Sequence, residues 1–87
     1  MKTPKEIQQE LSARERSLRK KQKMTLQQLA DASGVSLGSV KRFESSGEIS
    51  LQSMIKIAIA LGCEDDFSAV FAKNIPISIE EIINGEI

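Results

Sequence analysis

The chain has 87 residues, enough for one small domain, and it contains a single Cys and no His, Trp or Tyr. A structural zinc site needs a set of Cys or His ligands and a disulfide framework needs paired cysteines, so neither can form within one chain. Lys and Arg together number 12, as do Asp and Glu together, so the formal net charge is zero.

The composition also bears on compartment and catalysis. The first residues, MKTPKEIQQEL, are charged where a secretory signal needs an apolar segment, and no apolar run approaches the roughly 20 residues that span a bilayer. We therefore expect a cytoplasmic protein. Without His, the scattered carboxylates provide no acid–base pair or nucleophile, so we expect neither an enzyme nor a cofactor or small effector. Cys63, at the end of an apolar run, is interpreted as a small buried hydrophobe.

The charges are unevenly distributed along the chain. Residues 1–43 contain ten Lys/Arg and four Asp/Glu, a net charge of +6, whereas residues 44–87 contain two and eight, a net charge of −6. Six basic residues crowd ten positions that contain one acid, Glu15; they are Arg14, Arg16, Arg19, Lys20, Lys21 and Lys23. Such a run is typical of a solvated helix face, but it also suits phosphate binding.

Helix signals fill the chain from its beginning. Thr3 is a candidate N-cap before Pro4, and the first predicted helix covers residues 5–21, with Ile7, Leu11 and Leu18 on one row. Thr25 is the N-cap candidate of a two-turn helix that contains Leu26, Leu29 and Ala30 and ends at Gly34.

A third helix is predicted after Ser36, with Val40 and Phe43 facing inward and a polar outer side. Ser45, Ser46 and Gly47 are expected to end it. Ser50 then begins a fourth helix that ends at Gly62, and its predicted apolar stripe consists of Leu51, Met54, Ile55, Ala58 and Leu61. Ile57 and Ile59 widen this stripe, so we expect the helix to be covered from more than one direction.

The remaining residues predict a short fifth amphipathic helix with Phe67, Val70 and Phe71 on its inner side, after the acidic run at residues 64–66. Residues 75–79 alternate around Pro76 and predict extended chain, and Ser78 with Glu81 resembles a capping box. We therefore divide the chain into a domain at residues 1–74 and an apolar tail at residues 75–87, whose isoleucines suit a dimer or partner contact.

Residues 25–44 have the order of a helix-turn-helix: a capped two-turn helix, a turn containing Gly34, and a second capped helix. Ala30 is small where the two helices would cross, and Val35 fills the space beneath the turn. A lone Gly between helices would be weak support, whereas this full pattern beside a basic run is considerably stronger.

Residues 18–62 resemble the phage-repressor and Cro-type helix-turn-helix proteins, the XRE family. The positions that carry the resemblance are Met24, Thr25, Leu29, Ala30, Gly34, Val35, Ser36, Val40, Phe43, Glu44, Gly47, Ser50 and Leu51. The resemblance implies an all-α, five-helix, lambda-repressor-like fold. It also implies a partly buried structural ion pair between Arg19 and Glu44.

For DNA, the resemblance implies phosphate contacts near the start of the second helix and in the loop after the third, and base reading from the outer side of the third helix. Leu37 would offer only apolar contact and Gly38 only backbone, which leaves Lys41 and Arg42 as the side chains for guanine edges, although Lys41 suits a phosphate equally well. Glu15 departs from the family pattern, in which its position is often apolar. The expected DNA-binding residues are Lys23, Thr25, Gln28, Ser36, Leu37, Gly38, Ser39, Lys41, Arg42 and Ser46.

Two functions follow from this resemblance. The first is a transcriptional regulator that binds a palindromic DNA operator as a homodimer. The alternative is an antitoxin, similar to HipB-like proteins, that binds a toxin protein and represses its own operon. The isoleucine-rich tail motivates that alternative.

Overall fold

The computed structural model describes residues 1–73 and 79–85, and every regular element in those ranges is a helix. The elements are α1 (Pro4–Lys21), α2 (Leu26–Ser33), α3 (Leu37–Ser46), α4 (Leu51–Leu61), a 3-10 helix (Glu64–Ala69) and α5 (Ile79–Ile83). The predicted all-α, five-helix fold class is confirmed. Within the described ranges, no helix has the length and apolar character needed to cross a membrane.

Local capping explains where the first four helices begin and end. Thr3, Thr25, Ser36 and Ser50 each accept a hydrogen bond from the backbone N–H three residues later, as predicted from their positions. α2, α3 and α4 each end at a glycine in the left-handed conformation: Gly34, Gly47 and Gly62. Ser45 and Ser46 belong to α3, so that helix ends at Gly47 and not before.

The core lies where α2, α3 and α4 meet, and α1 packs across α3. Its buried members are Leu29, Ala30, Val35, Val40, Phe43, Ile57 and Leu61. The predicted stripe of α4 is partly wrong, because Leu51 in the first turn is exposed. Of the two residues expected to widen the stripe, Ile57 is almost fully buried and Ile59 is exposed. The inner face of α4 is therefore rotated toward Ile57, Ala58 and Leu61.

The buried side of α1 differs from the predicted apolar row. Ile7 and Leu11 are exposed, and only Leu18 of that row packs against the core. The residues that α1 buries are polar: Ser12, Glu15 and Arg19. A polar face can be buried here because Arg19 finds a carboxylate on α3, as described below.

The predicted fifth amphipathic helix forms as a 3-10 helix, but the contacts predicted for it are wrong. Residues 64–69 form a 3-10 helix, Phe67 is half-buried, and Val70 and Phe71 are exposed. An apolar groove of about 340 Å³ stays open between α1, α4 and the 3-10 helix. Cys63 lines this groove and is partly buried, and burial, followed by the charges of Asp66 and Glu64, raises the pKa of its thiol.

The C-terminal predictions are only partly covered by the structure. Residues 75–78 of the predicted extended segment, including Ser78 of the suggested capping box, lie outside the described residues. Ile79, the last residue of that segment, is helical instead. Ile79, Ile82 and Ile83 of α5 are exposed.

Candidate nucleic-acid interface

The candidate interface is built on α3, which has one buried side and one exposed side. Val40 and Phe43 are buried on its inner side, while Lys41 and Arg42, which follow Val40 directly in sequence, are exposed. Gly38 and Ser39 in the first turn are also exposed. Because successive side chains along a helix point about 100° apart, burial of Val40 and Phe43 forces residues 38, 39, 41 and 42 outward.

Leu37 does not share that outward orientation. The sequence places it with the outer residues, but its side chain is half-buried and packs against the core. An apolar side chain at the first turn of α3 gains more by covering core atoms than by facing water. Leu37 thus offers a partial surface to a ligand and also seals the end of the helix.

The start of α2 presents a second set of donors. Thr25 Oγ1 accepts from the Gln28 backbone N–H at 3.0 Å, and Gln28 Oε1 accepts from the Thr25 backbone N–H at 2.8 Å. The Thr25 hydroxyl hydrogen and the Gln28 amide N–H₂ group are not used by this capping box. Both residues are exposed, as is Lys23 in the preceding turn, so donors and one positive charge are concentrated where the N-terminal end of a helix favours an anion.

Ser36 and Ser39 are linked across the start of α3. The two hydroxyl oxygens are 2.8 Å apart, and Ser36 Oγ also accepts from the Ser39 backbone N–H at 3.2 Å. Both side chains are exposed. They cap the helix while remaining on the same surface as Gly38.

Arg42 is held by an acid that the sequence interpretation did not single out. Its Nε donates to Glu48 Oε2 at 2.9 Å, and its Nη2 lies 2.7 Å from the same oxygen. The hydrogen bond from Arg42, and then its charge, lower the pKa of Glu48. Glu48 follows the C-cap glycine of α3, and an acid six residues after an outward Arg, beyond a glycine turn, was the available signal.

The backbone around Gly47 places Glu48 beside Arg42. Ser46, half-buried in the last turn, donates its hydroxyl to the Arg42 carbonyl at 2.7 Å and accepts from the Glu48 backbone N–H at 3.2 Å. Gly47 has φ 82° and is pressed against α1: a Cβ at this position would meet Gln8 Cβ at 2.9 Å. Ser46 therefore bridges the residue that carries the guanidinium and the residue that carries the carboxylate.

Arg42 and Glu48 also line a shallow groove on this surface. The groove has a volume of about 340 Å³, and its other lining residues are Ser39, Ile49, Ser50 and Ser53. It joins the outer side of α3 to the start of α4. Among the expected DNA-binding residues, the structure thus brings Ser39 and Arg42 together around one depression, with Ser46 hydrogen-bonded to Arg42 behind it.

Arg19 lies on the opposite side of α3 and has a structural position. Its Nε and Nη2 donate to the two carboxylate oxygens of Glu44 at 2.8 and 2.9 Å, and its Nη1 donates to the Met24 carbonyl at 2.8 Å. The side chains of Arg19 and Glu44 are 9% and 7% exposed. Burial alone would raise the pKa of Glu44. The hydrogen bonds from Arg19, together with the charges of Arg19 and Arg16, outweigh this effect, so the pKa is lowered overall.

Glu15 is a second carboxyl group beside this pair. Both of its carboxyl oxygens are buried, and neither has a hydrogen-bond partner among the described residues. Burial, followed by the neighbouring carboxylate of Glu44, raises the pKa of Glu15 to about 8. At neutral pH the group is therefore mostly protonated, and one arginine faces one charged carboxylate, Glu44, instead of two.

The described residues contain no cluster of three or more His, Cys, Asp or Glu side chains that could hold a metal ion. Comparison with known families gives one match: the family model described as "Helix-turn-helix" covers residues 16–67, more than half of the chain. No significant match was found among curated proteins or among solved structures. The matched segment begins within α1 and ends within the 3-10 helix, so it contains α2, the turn at Gly34, α3 and the Arg42–Glu48 pair.

Proposed function

The chain belongs to the XRE family of helix-turn-helix DNA-binding regulators, and from this membership we propose that it recognises a specific palindromic operator as a homodimer. The observation that carries the proposal is the outer side of α3, where Lys41 and Arg42 are exposed on a helix whose inner side is locked into the core. A rigid helix with outward basic side chains is the element that enters a major groove.

Sequence reading is assigned mainly to Arg42, with Lys41 beside it. Guanine presents two acceptors, O6 and N7, in the major groove, and an arginine can donate to both. Gly38 allows close approach of the α3 backbone, and Leu37 exposes part of an apolar surface that suits a thymine methyl group. Ser39 and Ser36 supply hydroxyl groups at the same end of the helix.

Positioning on the duplex is assigned to the phosphate-facing groups. These groups are the hydroxyl of Thr25, the amide of Gln28 and the charge of Lys23 around the start of α2, and Ser46 at the end of α3. Contacts of this kind fix the register of a protein on DNA without reading its sequence. They would also make binding strongly dependent on salt.

Homodimer formation is supported by apolar side chains left in water. Val70 and Phe71 after the 3-10 helix are exposed, Phe71 by 89%, as are Ile79, Ile82 and Ile83 of α5. An 87-residue chain gains considerably from covering such residues, because small domains bury a low fraction of their surface. Two copies would place their α3 helices about 34 Å apart, one turn of duplex, and so read a palindrome.

Selection of bound sequences from random duplex DNA tests this function directly. We expect a two-fold symmetric consensus with guanine in each half-site, and an affinity that falls steeply between about 50 and 200 mM salt. Light scattering at micromolar concentration should give the mass of a dimer. Selection that returns no consensus, or a monomeric mass, would contradict the proposal.

The variant with Lys41→Ala and Arg42→Ala sharpens the test. Removing base-reading side chains should lower affinity for the selected operator by about 5- to 150-fold per side chain, since a good bidentate hydrogen-bonded pair is worth about 1 to 3 kcal/mol. The helical circular dichroism should be unchanged, because both side chains are exposed. The matched control, Lys20→Ala with Lys21→Ala, removes the same charge from the exposed end of α1. Equal losses of affinity in the two double variants would mean that Lys41 and Arg42 act only through the total charge of the protein.

The exposed apolar residues also support a second candidate function. The same exposed side chains, Val70, Phe71 and the isoleucines of α5, would suit the binding of a toxin protein by an antitoxin. A chain that is monomeric alone and binds its operator only together with a second polypeptide would favour this function over the homodimer.

A further inference from the structure

The ion pair between Arg42 and Glu48 leaves one edge of the Arg42 guanidinium group unused. Glu48 Oε2 contacts Nε and Nη2, the lateral edge of the guanidinium group. An arginine has five N–H donors, so the terminal edge, formed by Nη1 and the second hydrogen of Nη2, still has two parallel donors. Two parallel donors are what guanine O6 and N7 require.

The pair contributes little to folding. The side chains of Arg42 and Glu48 are 70% and 53% exposed, and an exposed pair contributes little net stability because water and salt screen its charges. A carboxylate next to a DNA-binding arginine also has a cost for binding, since it repels phosphates. Neither consideration accounts for a side chain placed so closely against Arg42.

The loop that carries Glu48 has little freedom to place it elsewhere. The Ser46 hydroxyl links the Arg42 carbonyl to the Glu48 backbone N–H, and Gly47 packs against Gln8 of α1. The Glu48 backbone is therefore fixed relative to α3, which keeps the carboxylate within reach of the guanidinium group. A group held in this way can restrict the rotamers of a long, flexible arginine before DNA arrives.

We infer that Glu48 is a positioning residue for base reading: it holds Arg42 by its lateral edge and aims the terminal edge at a guanine in the major groove. The inference deepens the proposed function and rests on it. Glu48 also withdraws Arg42 from phosphates, since part of its charge is neutralised. Specificity is a difference between two affinities, and Glu48 enlarges that difference by favouring guanine and by penalising non-specific contact.

The test compares affinities of the full-length chain for two duplexes, the operator selected with the wild-type protein and a copy in which the guanine assigned to Arg42 is replaced. The ratio of the two dissociation constants is the readout. In Glu48→Gln, which keeps the size of the side chain and removes its charge, we expect this ratio to fall about tenfold, as for the partial loss of one bidentate interaction. Affinity for unrelated duplex DNA should rise, because one repulsive charge is gone.

Three controls separate the alternatives. Glu64→Gln removes the same charge from the 3-10 helix and should leave the ratio unchanged. Arg42→Ala should abolish the preference for that guanine, and adding Glu48→Gln to it should have no further effect. A further change in the double variant would mean that Glu48 contacts a base itself, such as the amino group of cytosine, and would overturn the positioning role. Thermal unfolding of each variant should stay within a few degrees of wild type.

The outcomes distinguish this inference from the proposed function. Wild-type protein that shows no sequence preference would overturn both. A selective wild type whose Glu48→Gln variant keeps the full ratio would overturn the role of Glu48 alone. A uniform loss of affinity for all duplexes in Glu48→Gln would also overturn it, since a positioning residue alters selectivity first.

Discussion

Two arginine–glutamate pairs each include one residue of α3, and the same chemical groups act differently in them because their surroundings differ. Arg19 and Glu44 are buried against α1 and form two parallel hydrogen bonds, with the Met24 carbonyl as a further acceptor. Arg42 and Glu48 are exposed on the outer side, where Nε and Nη2 of Arg42 both contact one carboxylate oxygen, Glu48 Oε2. A buried pair is costly to break, whereas an exposed pair is nearly neutral for stability and is open to a ligand.

One short helix is thus anchored on one side and left available on the other. Glu44 and Arg42 are two residues apart in sequence, so they point to different sides of the helix. The inner pair fixes the position of α3 relative to α1, and the outer pair presents a guanidinium group in a defined orientation. Substitutions at the inner pair, Arg19 and Glu44, should therefore change stability, and substitutions at the outer pair, Arg42 and Glu48, should change DNA selectivity.

The largest effect is expected from Arg19→Ala. This change leaves Glu44 buried without its main partner and next to Glu15, so the free energy of unfolding should fall by about 3 to 5 kcal/mol in urea denaturation. Arg16→Ala is the matched control, because Arg16 is 57% exposed and its Nε lies 4.0 Å from Glu44 Oε1. It should lose at most about 1 kcal/mol. Similar losses in the two variants would show that burial does not set the difference between the pairs.

A smaller effect is expected at Gly47, which ends α3, packs against α1 and directly precedes Glu48. Gly47→Ala combines a left-handed backbone, φ 82°, with contacts of 2.9 and 3.0 Å to Gln8, so unfolding free energy should fall by about 2 to 3 kcal/mol. Gly34→Ala is the control for conformation alone, since φ is 75° but nothing lies within 4 Å of the added Cβ. A loss of about 1 kcal/mol is expected there.

Gly38 completes that series, because it is helical and nothing lies within 4 Å of an added Cβ. Gly38→Ala should therefore stabilise α3 by about 0.5 to 1 kcal/mol. If Gly47→Ala costs no more than Gly34→Ala, the contact between Gln8 and the loop is not a constraint, and the fixed placement of Glu48 loses its support.

The sequence predicts those features that depend on neighbours along the chain. Thr3, Thr25, Ser36 and Ser50 were identifiable as caps because a cap bonds three residues away, and Gly34 because the turn needs a left-handed residue. The pairing of Arg19 with Glu44 joins residues 25 positions apart and came only from the family resemblance.

Features that depend on packing were missed or misplaced. The exposure of Ile7 and Leu11, the 3-10 form of residues 64–69 and the half-burial of Leu37 follow from how the helices pack, which periodicity alone does not determine. Glu48 was missed because its contact with Arg42 exists only after the chain reverses at Gly47. The exposure of Lys41 and Arg42 on the outer side of α3 could thus be predicted from the sequence, but the ion pair that Arg42 forms with Glu48 could not.

The most gradual effect is expected from pH, and it depends on Glu15 beside the buried pair of Arg19 and Glu44. The pKa of Glu15 is about 8 in the folded protein against an ordinary value of 4.5. Between these values the folded state keeps a proton that the unfolded chain has lost, so stability falls as pH rises through this window, by at most about 1.4 kcal/mol per pH unit. Above it, both states are ionised and the dependence ends.

Glu15→Gln replaces the protonated acid with a neutral group of the same shape. Its unfolding free energy should be close to that of wild type near pH 5, where Glu15 is protonated in the folded protein, and clearly higher near pH 9, where wild type must bury a second carboxylate beside Glu44. Glu10→Gln on the same helix is the control: the hydrogen bond from Lys2 lowers the pKa of Glu10, so this acid can affect stability only at low pH. If wild type and Glu15→Gln showed parallel pH profiles, Glu15 would have to be ionised at neutral pH, and the inner pair would then hold two carboxylates against one arginine.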